Sequence, residues 1–335
     1  MNKYLLIISL AVLSFSTQAT NLINDERIKD QKDCFSWIFT DYDSWRTMVK
    51  TQQSKKLASE GEVKGAMQSF DNTFGKENFN SYKNNLSCRT FMYQVDGIDV
   101  HGYVIKPKLS QKKLPVLIFN RGGNGNFGKV SFPNMMPNLF PIANEGFVII
   151  GSQYRGTLSK NTLLDEFGGK DVNDVIALFD FIPNIEGADP QRVGMYGHSR
   201  GGMQTFLALN KMKGIKAIAS IAGATDLLEE LKFRPFMEKI YSRQIPDYQE
   251  NKAAELEKRS VLKWVNKLPS NTPILLLHGA NDKRVSVNNS IELAAALTEN
   301  SIPHKLVIYP DDNHALTQNK ENAHKELISW FREYL

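Results

Sequence analysis

The chain has 335 residues, 41% hydrophobic and 23% charged, with 41 basic against 36 acidic side chains and a formal net charge of +5. That composition supports a full buried core and excludes a disordered chain. The cations are scattered, so no nucleic-acid partner is implied, and neither a metal-ligand spacing nor a cofactor signature is visible.

Residues 1–19 read as a signal peptide. Lys3 gives a positive start, Tyr4 to Phe15 an apolar run, and Thr17-Gln18-Ala19 a cleavage-type ending. The run falls short of the roughly 20 apolar residues a spanning helix needs; an uncleaved tether is the alternative. No second run of membrane length follows. The expectation is an exported protein, periplasmic or secreted, with no integral membrane segment after cleavage.

Residues 20–87 are expected to form a small helical extension. "CFSWIFTDYDSWRTMVK" repeats large apolar residues at three- and four-residue spacing, and "SKKLASEGEVKGAMQSF" reads as a second helix. Cys34 and Cys88 are the only cysteines. In an exported chain they form either a disulfide or two separate buried thiols.

Residues 88–335 have a different rhythm. "CRTFMYQVDGIDVHGYVIKP" alternates around Asp96-Gly97, a hairpin signal. Unbroken apolar runs follow at 114–123, 146–156, 192–199, 215–223, 272–282 and 304–314, each ending in a glycine-rich or polar break. Such runs suit parallel strands buried on both faces. Helical patterns lie between them; one begins at Asp171, which is available as its N-cap. The fold class is α/β, with a mostly parallel central sheet and helices on both faces. Residues 224–262 interrupt this rhythm as a charged helical insertion, placed as a lid would be.

The chemistry centres on "RVGMYGHSRGGMQTF". Gly197-His198-Ser199-Arg200-Gly201 fits G-x-S-x-G between a strand and a helix, a sharp turn that lifts a nucleophilic hydroxyl above the strand ends. Serine needs a base. Of six histidines, His198 is expected to point away from Ser199, His278 to be satisfied within a strand, and His101, His304 and His324 to lie elsewhere. His314, in the loop after the last strand, is the base. Asp282, after the preceding strand, is the acid; Asp311 and Asp312 are close enough to His314 to shape its loop instead. The order Ser199, Asp282, His314 is that of α/β-hydrolases. The oxyanion hole is assigned to the N–H of Arg200 and to Arg121 or Gly122 in "NRGGNGNFG", a loop that would otherwise be only a tight turn. No lysine-serine or lysine-threonine pair ends that loop, so it is not a phosphate cradle.

The set "DGIDVHGYVIKP", "FNRGG", "QYRG", "FGGKDVNDV", "YGHSRGG", "HGANDKRV" and "DDNH" resembles the catalytic domain of the prolyl oligopeptidase family, within the α/β-hydrolase fold. The resemblance covers about residues 88–335 and implies Ser199 as nucleophile, Asp282 as acid and His314 as base. Three departures stand out. A short N-terminal region replaces the family's large β-propeller, Arg200 follows the serine where tyrosine is common, and Arg121 stands where some members place an oxyanion tyrosine. The substrate implied is a peptide, with an ester as the alternative of a carboxylesterase or acyl hydrolase. The remote alternative is a non-catalytic binding protein.

Overall fold

The structure is a computed structural model that describes residues 21–335; the signal peptide read at 1–19 lies outside them. Nine strands among these residues make one sheet: β1 (Lys29–Asp33), β2 (Leu86–Val95), β3 (Ile98–Pro107), β4 (Leu114–Asn120), β5 (Val148–Ser152), β6 (Ala188–His198), β7 (Ile215–Ile221), β8 (Ile274–Gly279) and β9 (His304–Tyr309). Their order is β1-β2-β3-β5-β4-β6-β7-β8-β9. The pairs β1–β2, β2–β3 and β3–β5 are antiparallel. Every other neighbouring pair is parallel. The hairpin turns at Asp96 (φ 52°) and Gly97 (φ 74°), the left-handed pair a two-residue turn requires.

Five of the six apolar runs, β4 to β8, are strands with both faces covered; β9, at the sheet edge, is only partly buried. Alternate residues divide between two cores. Val116, Ile118, Val148, Ile150, Met195, Ile218, Ile274 and Leu276 enter one, with Val172, Phe206 and Leu293 from helices Asp171–Ile176, Arg200–Leu209 and Asn288–Glu299. Leu117, Ile149, Tyr196, Ala217, Ala219, Leu275 and Leu277 enter the other, with Phe140, Leu327 and Phe331.

The N-terminal region packs on this second face and is not helical throughout. Helices Tyr42–Ser54, Glu60–Phe74 and Lys76–Asn85 are preceded by β1, which extends the sheet edge, and β2 already begins at Leu86. The apolar spacing around residues 34–50 marks two elements, a short 3₁₀ turn at Trp37–Phe39 and the helix from Tyr42. Ser59 and Glu62 form a reciprocal capping box that starts the second helix at Glu60, six residues later than the sequence reading places it. Trp45 is fully buried, its ring 4.8 Å from Phe70 and 5.4 Å from Phe132. A disulfide joins Cys34 to Cys88 with Cα atoms 5.4 Å apart, fastening the region to β2.

Asp171 does not cap its helix. Lys170 holds the N-cap position, and the Asp171 carboxylate instead accepts from the N–H groups of Gly168 and Gly169 and from two distant side chains described below.

Candidate active site

Between β6 and helix Arg200–Leu209 the chain turns at Ser199, with φ 60° and ψ −127°. A serine held there stores on the order of 1–3 kcal/mol of strain. Its N–H donates to the Ile221 carbonyl at 2.8 Å, and the Gly202 N–H donates to its carbonyl at 2.9 Å. The flanking glycines are compulsory. A β-carbon at Gly197 would lie 2.0 Å from the Gly201 carbonyl oxygen, and one at Gly201 would lie 1.9 Å from that of Asn120. At Gly202 it would lie 2.3 Å from Ser220 Oγ. The spacing of this motif is therefore a packing requirement of the turn.

Asp282 sits in the turn after β8. Its Oδ1 accepts from the N–H groups of Arg284 (2.7 Å) and Val285 (3.1 Å). Its Oδ2 lies 2.6 Å from His314 Nδ1 and 3.2 Å from His278 Nε2. Burial opposes the charge, but hydrogen bonds from His278 and His314 outweigh it and hold the carboxyl far below the usual carboxylate range. Nδ1 of His314 faces a carboxylate and so carries the proton, which leaves Nε2 as the free acceptor.

His278 is satisfied inside β8, in part by Asp282. Its Nε2–H meets two acceptors, Asp282 Oδ2 and the Val285 carbonyl, while Nδ1 accepts from Ser290 Oγ at 2.7 Å. Asp312 shapes the histidine loop, accepting from the N–H groups of Asn313, Gln318 and Asn319. Asp311 is exposed.

His198 departs from its expected orientation. It does not point away: it lines the same cavity as Ser199 and His314, its Nε2–H donates to the His314 carbonyl at 2.8 Å, and the two rings are 4.7 Å apart. Burial, then the nearby His314, lowers its pKa to about 4, so it stays neutral and keeps that proton. Strand alternation fails to orient it because Ser199 has left the strand.

Ser199 and His314 share a cavity of about 650 Å³ with Gly122, Phe127, Glu230, Phe236 and Tyr241 among its walls. Among the described residues no hydrogen bond within 3.5 Å joins the two side chains; such catalytic bonds often tighten only when substrate is bound. The segment 224–262 contributes Glu230, Met237, Ile240 and Tyr241 to the cavity wall from helices Leu227–Phe233 and Met237–Gln244.

Arg200 N–H opens its helix, where an amide has no intrahelical acceptor. Gly122 lies against the nucleophile: a β-carbon there would be 3.1 Å from Ser199 Cβ and 3.0 Å from the His198 carbonyl oxygen. Its N–H has no backbone acceptor among the described residues. The Arg121 side chain is excluded from the hole. It is buried, and its guanidinium donates to the carbonyls of Gln153, Gly122, Phe127 and Gly125 and to Thr157 Oγ1.

The Arg200 side chain is a second brace. It is buried, pairs with Asp165 (2.6 Å) and Asp171 (2.7 Å), and donates to the Gly123 carbonyl at 3.0 Å. Asp165 Oδ2 also accepts from Gly125 N–H at 2.8 Å, and Gln204 Nε2 reaches Asp171 Oδ2 at 2.6 Å. The nucleophile turn and the glycine-rich loop are thus fastened from below. Sequence reasoning misses Asp165 and the second partner of Asp171 because both contacts are long-range and neither has a local pattern.

A strained serine at a strand–helix turn, with an aspartate and a histidine after the last two strands of a mainly parallel sheet, defines the serine-hydrolase class of the α/β-hydrolase fold. Residues 133–335 match the model of the prolyl oligopeptidase family, Peptidase S9, and the chain belongs to that family. The uncharacterized peptidase YtmA of Bacillus subtilis is 26% identical over 260 residues, covering 77% of this chain and 98% of that one. The acylamino-acid-releasing enzyme of Arabidopsis thaliana is 26% identical over 246 residues, covering 68% of this chain but 31% of the relative. Acylaminoacyl peptidase from Pyrococcus horikoshii has the same fold over 77% of this chain and 44% of its own, with a TM-score of 0.66 at 22% identity. The matched part is therefore less than half of those longer enzymes and nearly all of the shorter relative.

Proposed function

We propose that this chain is an exported serine peptidase that works through an acyl-enzyme. Ser199 Oγ attacks a peptide carbonyl while His314 Nε2 takes its proton; the proton then passes to the leaving amine as the C–N bond breaks. Asp282 fixes the proton on His314 Nδ1 and stabilises the imidazolium. The N–H groups of Arg200 and Gly122 receive the oxyanion, and water activated by the same imidazole hydrolyses the ester. The observation that carries this reading is the 2.6 Å Asp282–His314 contact at the wall of the cavity that holds Ser199.

Membership of a peptidase family supports the peptide as substrate. The Cys34–Cys88 disulfide supports an oxidising compartment, in line with the leader read at residues 1–19. The disulfide fixes only where the chain can persist bridged; among the described residues no helix is long and apolar enough to cross a membrane. The deciding experiment assays the purified mature chain on chromogenic peptides and on short-chain aryl esters side by side. Turnover of peptides supports the proposal; turnover of esters alone replaces it with a carboxylesterase.

A further inference from the structure

The charges around the catalytic cavity do not balance. Arg121 and Arg200 are held by the carbonyls and carboxylates named above. Of the remaining charged groups on the wall, Arg234, Arg284 and Lys320 form no ion pair among the described residues, and the acid among them is Glu230. Glu230 already accepts from Ser286 N–H and from the Asn289 amide, and burial raises its pKa to about 7, so near neutrality it is a weak counter-charge.

Lys320 is the most anomalous of the three cations. It is half-buried, and burial lowers its pKa. It begins helix Lys320–Tyr334, the end at which the peptide dipoles disfavour a cation. Its side-chain acceptor is a neutral amide, Asn138 Oδ1 at 3.2 Å. His324, one turn on, lines the same cavity, and burial, then Lys320 itself, depresses its pKa to about 4, so it adds no charge near pH 7. The next residue, Glu321, is exposed, lines an adjoining cavity and makes no ion pair with Lys320. An ammonium in this position is disfavoured by its surroundings until an anion arrives. A charge-assisted bond to an incoming carboxylate would be about twice as strong as a neutral one.

Resting on the hydrolase reading, we propose that Lys320 is a specificity-determining residue that binds a carboxylate of the substrate within the catalytic cavity. Two parts of a peptide could carry that group, an acidic acyl-side residue or the free C-terminus of a short leaving segment.

Matched substrates separate them. One arm compares N-succinyl with N-acetyl peptide 4-nitroanilides; the other compares short N-acetyl peptides ending in a free acid with their C-terminal amides. The expected result is a preference for the acid of about tenfold or more in kcat/KM in one arm, about 1.4 kcal/mol. It should weaken as ionic strength rises while the neutral member of the pair holds steady. Lys320→Gln should reduce the preference to within about twofold and Lys320→Arg should restore most of it, with melting temperatures checked for each. A merely structural lysine would change both members of a pair alike.

Equal kcat/KM for acid and neutral substrates in both arms overturns the proposal, as does a preference that survives Lys320→Gln undiminished. The same peptides titrated calorimetrically against Ser199→Ala give the acid-to-neutral ratio without turnover. If no peptide is hydrolysed yet that ratio persists and depends on Lys320, the peptidase reading fails and the carboxylate site stands.

Discussion

Replacing Asp282 by Asn changes one atom in size hardly at all and reverses its hydrogen-bonding sense. The carboxylate accepts four hydrogen bonds, two from backbone N–H groups on Oδ1 and two from histidine rings on Oδ2. In the amide, Oδ1 can still serve Arg284 and Val285, but an NH₂ now faces His314 Nδ1 at 2.6 Å. The imidazole can meet it only by giving up the Nδ1 proton, and its remaining proton then sits on Nε2. That nitrogen is the one needed to take the Ser199 proton. The expected cost is about 10⁴ in kcat, or about 5.5 kcal/mol of barrier. His278 Nε2–H keeps the Val285 carbonyl but meets an amide NH₂ in place of the carboxylate oxygen, donor against donor in a fully buried place, so stability should fall by about 1–3 kcal/mol. Steady-state hydrolysis of an activated ester, beside a denaturant melt, reads both quantities. A loss below about tenfold in a protein that melts normally would refute the assigned tautomer and with it the role of Asp282.

Gly201→Ala should cost more than about 3 kcal/mol or prevent folding, since its new methyl meets the Asn120 carbonyl at 1.9 Å. Gly65→Ala, where nothing lies within 4 Å of the added carbon in helix Glu60–Phe74, should instead stabilise by about 0.5–1 kcal/mol; equal melting of the two variants would contradict this. Removing the Cys34–Cys88 bridge, which closes a separation of 54 residues, should lower stability by about 4 kcal/mol in the chain-entropy account, measured as the change in unfolding free energy of the double serine variant. Glu230 binds its proton more tightly folded, near pH 7, than unfolded, near the ordinary glutamate value of 4.5. Its contribution is therefore fully present below about pH 4.5 and is lost as pH rises through about 7, so Glu230→Gln should gain on the wild type by about 1–3 kcal/mol at pH 8 and little at pH 4. Parallel stability curves for the two proteins from pH 4 to 8 would remove Glu230 from that account.

What could be read from residues alone follows a physical line. β4 to β8 are legible as strands because a strand covered on both faces must be apolar throughout, and the edge strand β9 keeps enough of that pattern to be read with them. β1, "KDQKD", is not, because it is an exposed edge strand whose side chains face water and whose existence rests on bonds to β2. The three groups Ser199, Asp282 and His314 are legible because each directly follows a strand, and parallel strands bring their carboxyl ends to one rim. Around them the local rules fall short. Asp171 looks like a cap from its neighbours but is claimed by Arg200, 29 positions away. His198 looks turned away under strand alternation, yet the positive φ at Ser199 breaks the alternation where it matters. Both misses involve a polar side chain whose partner lies far off in the chain.

The most direct test is the rate at which a fluorophosphonate inactivates the folded protein, with the modified peptide identified by mass spectrometry. A single adduct on Ser199, formed at least about 100-fold more slowly in His314→Ala, is the predicted outcome. An adduct on another residue, or a Ser199 adduct whose rate ignores the loss of His314, would contradict the claim that these side chains act as one unit.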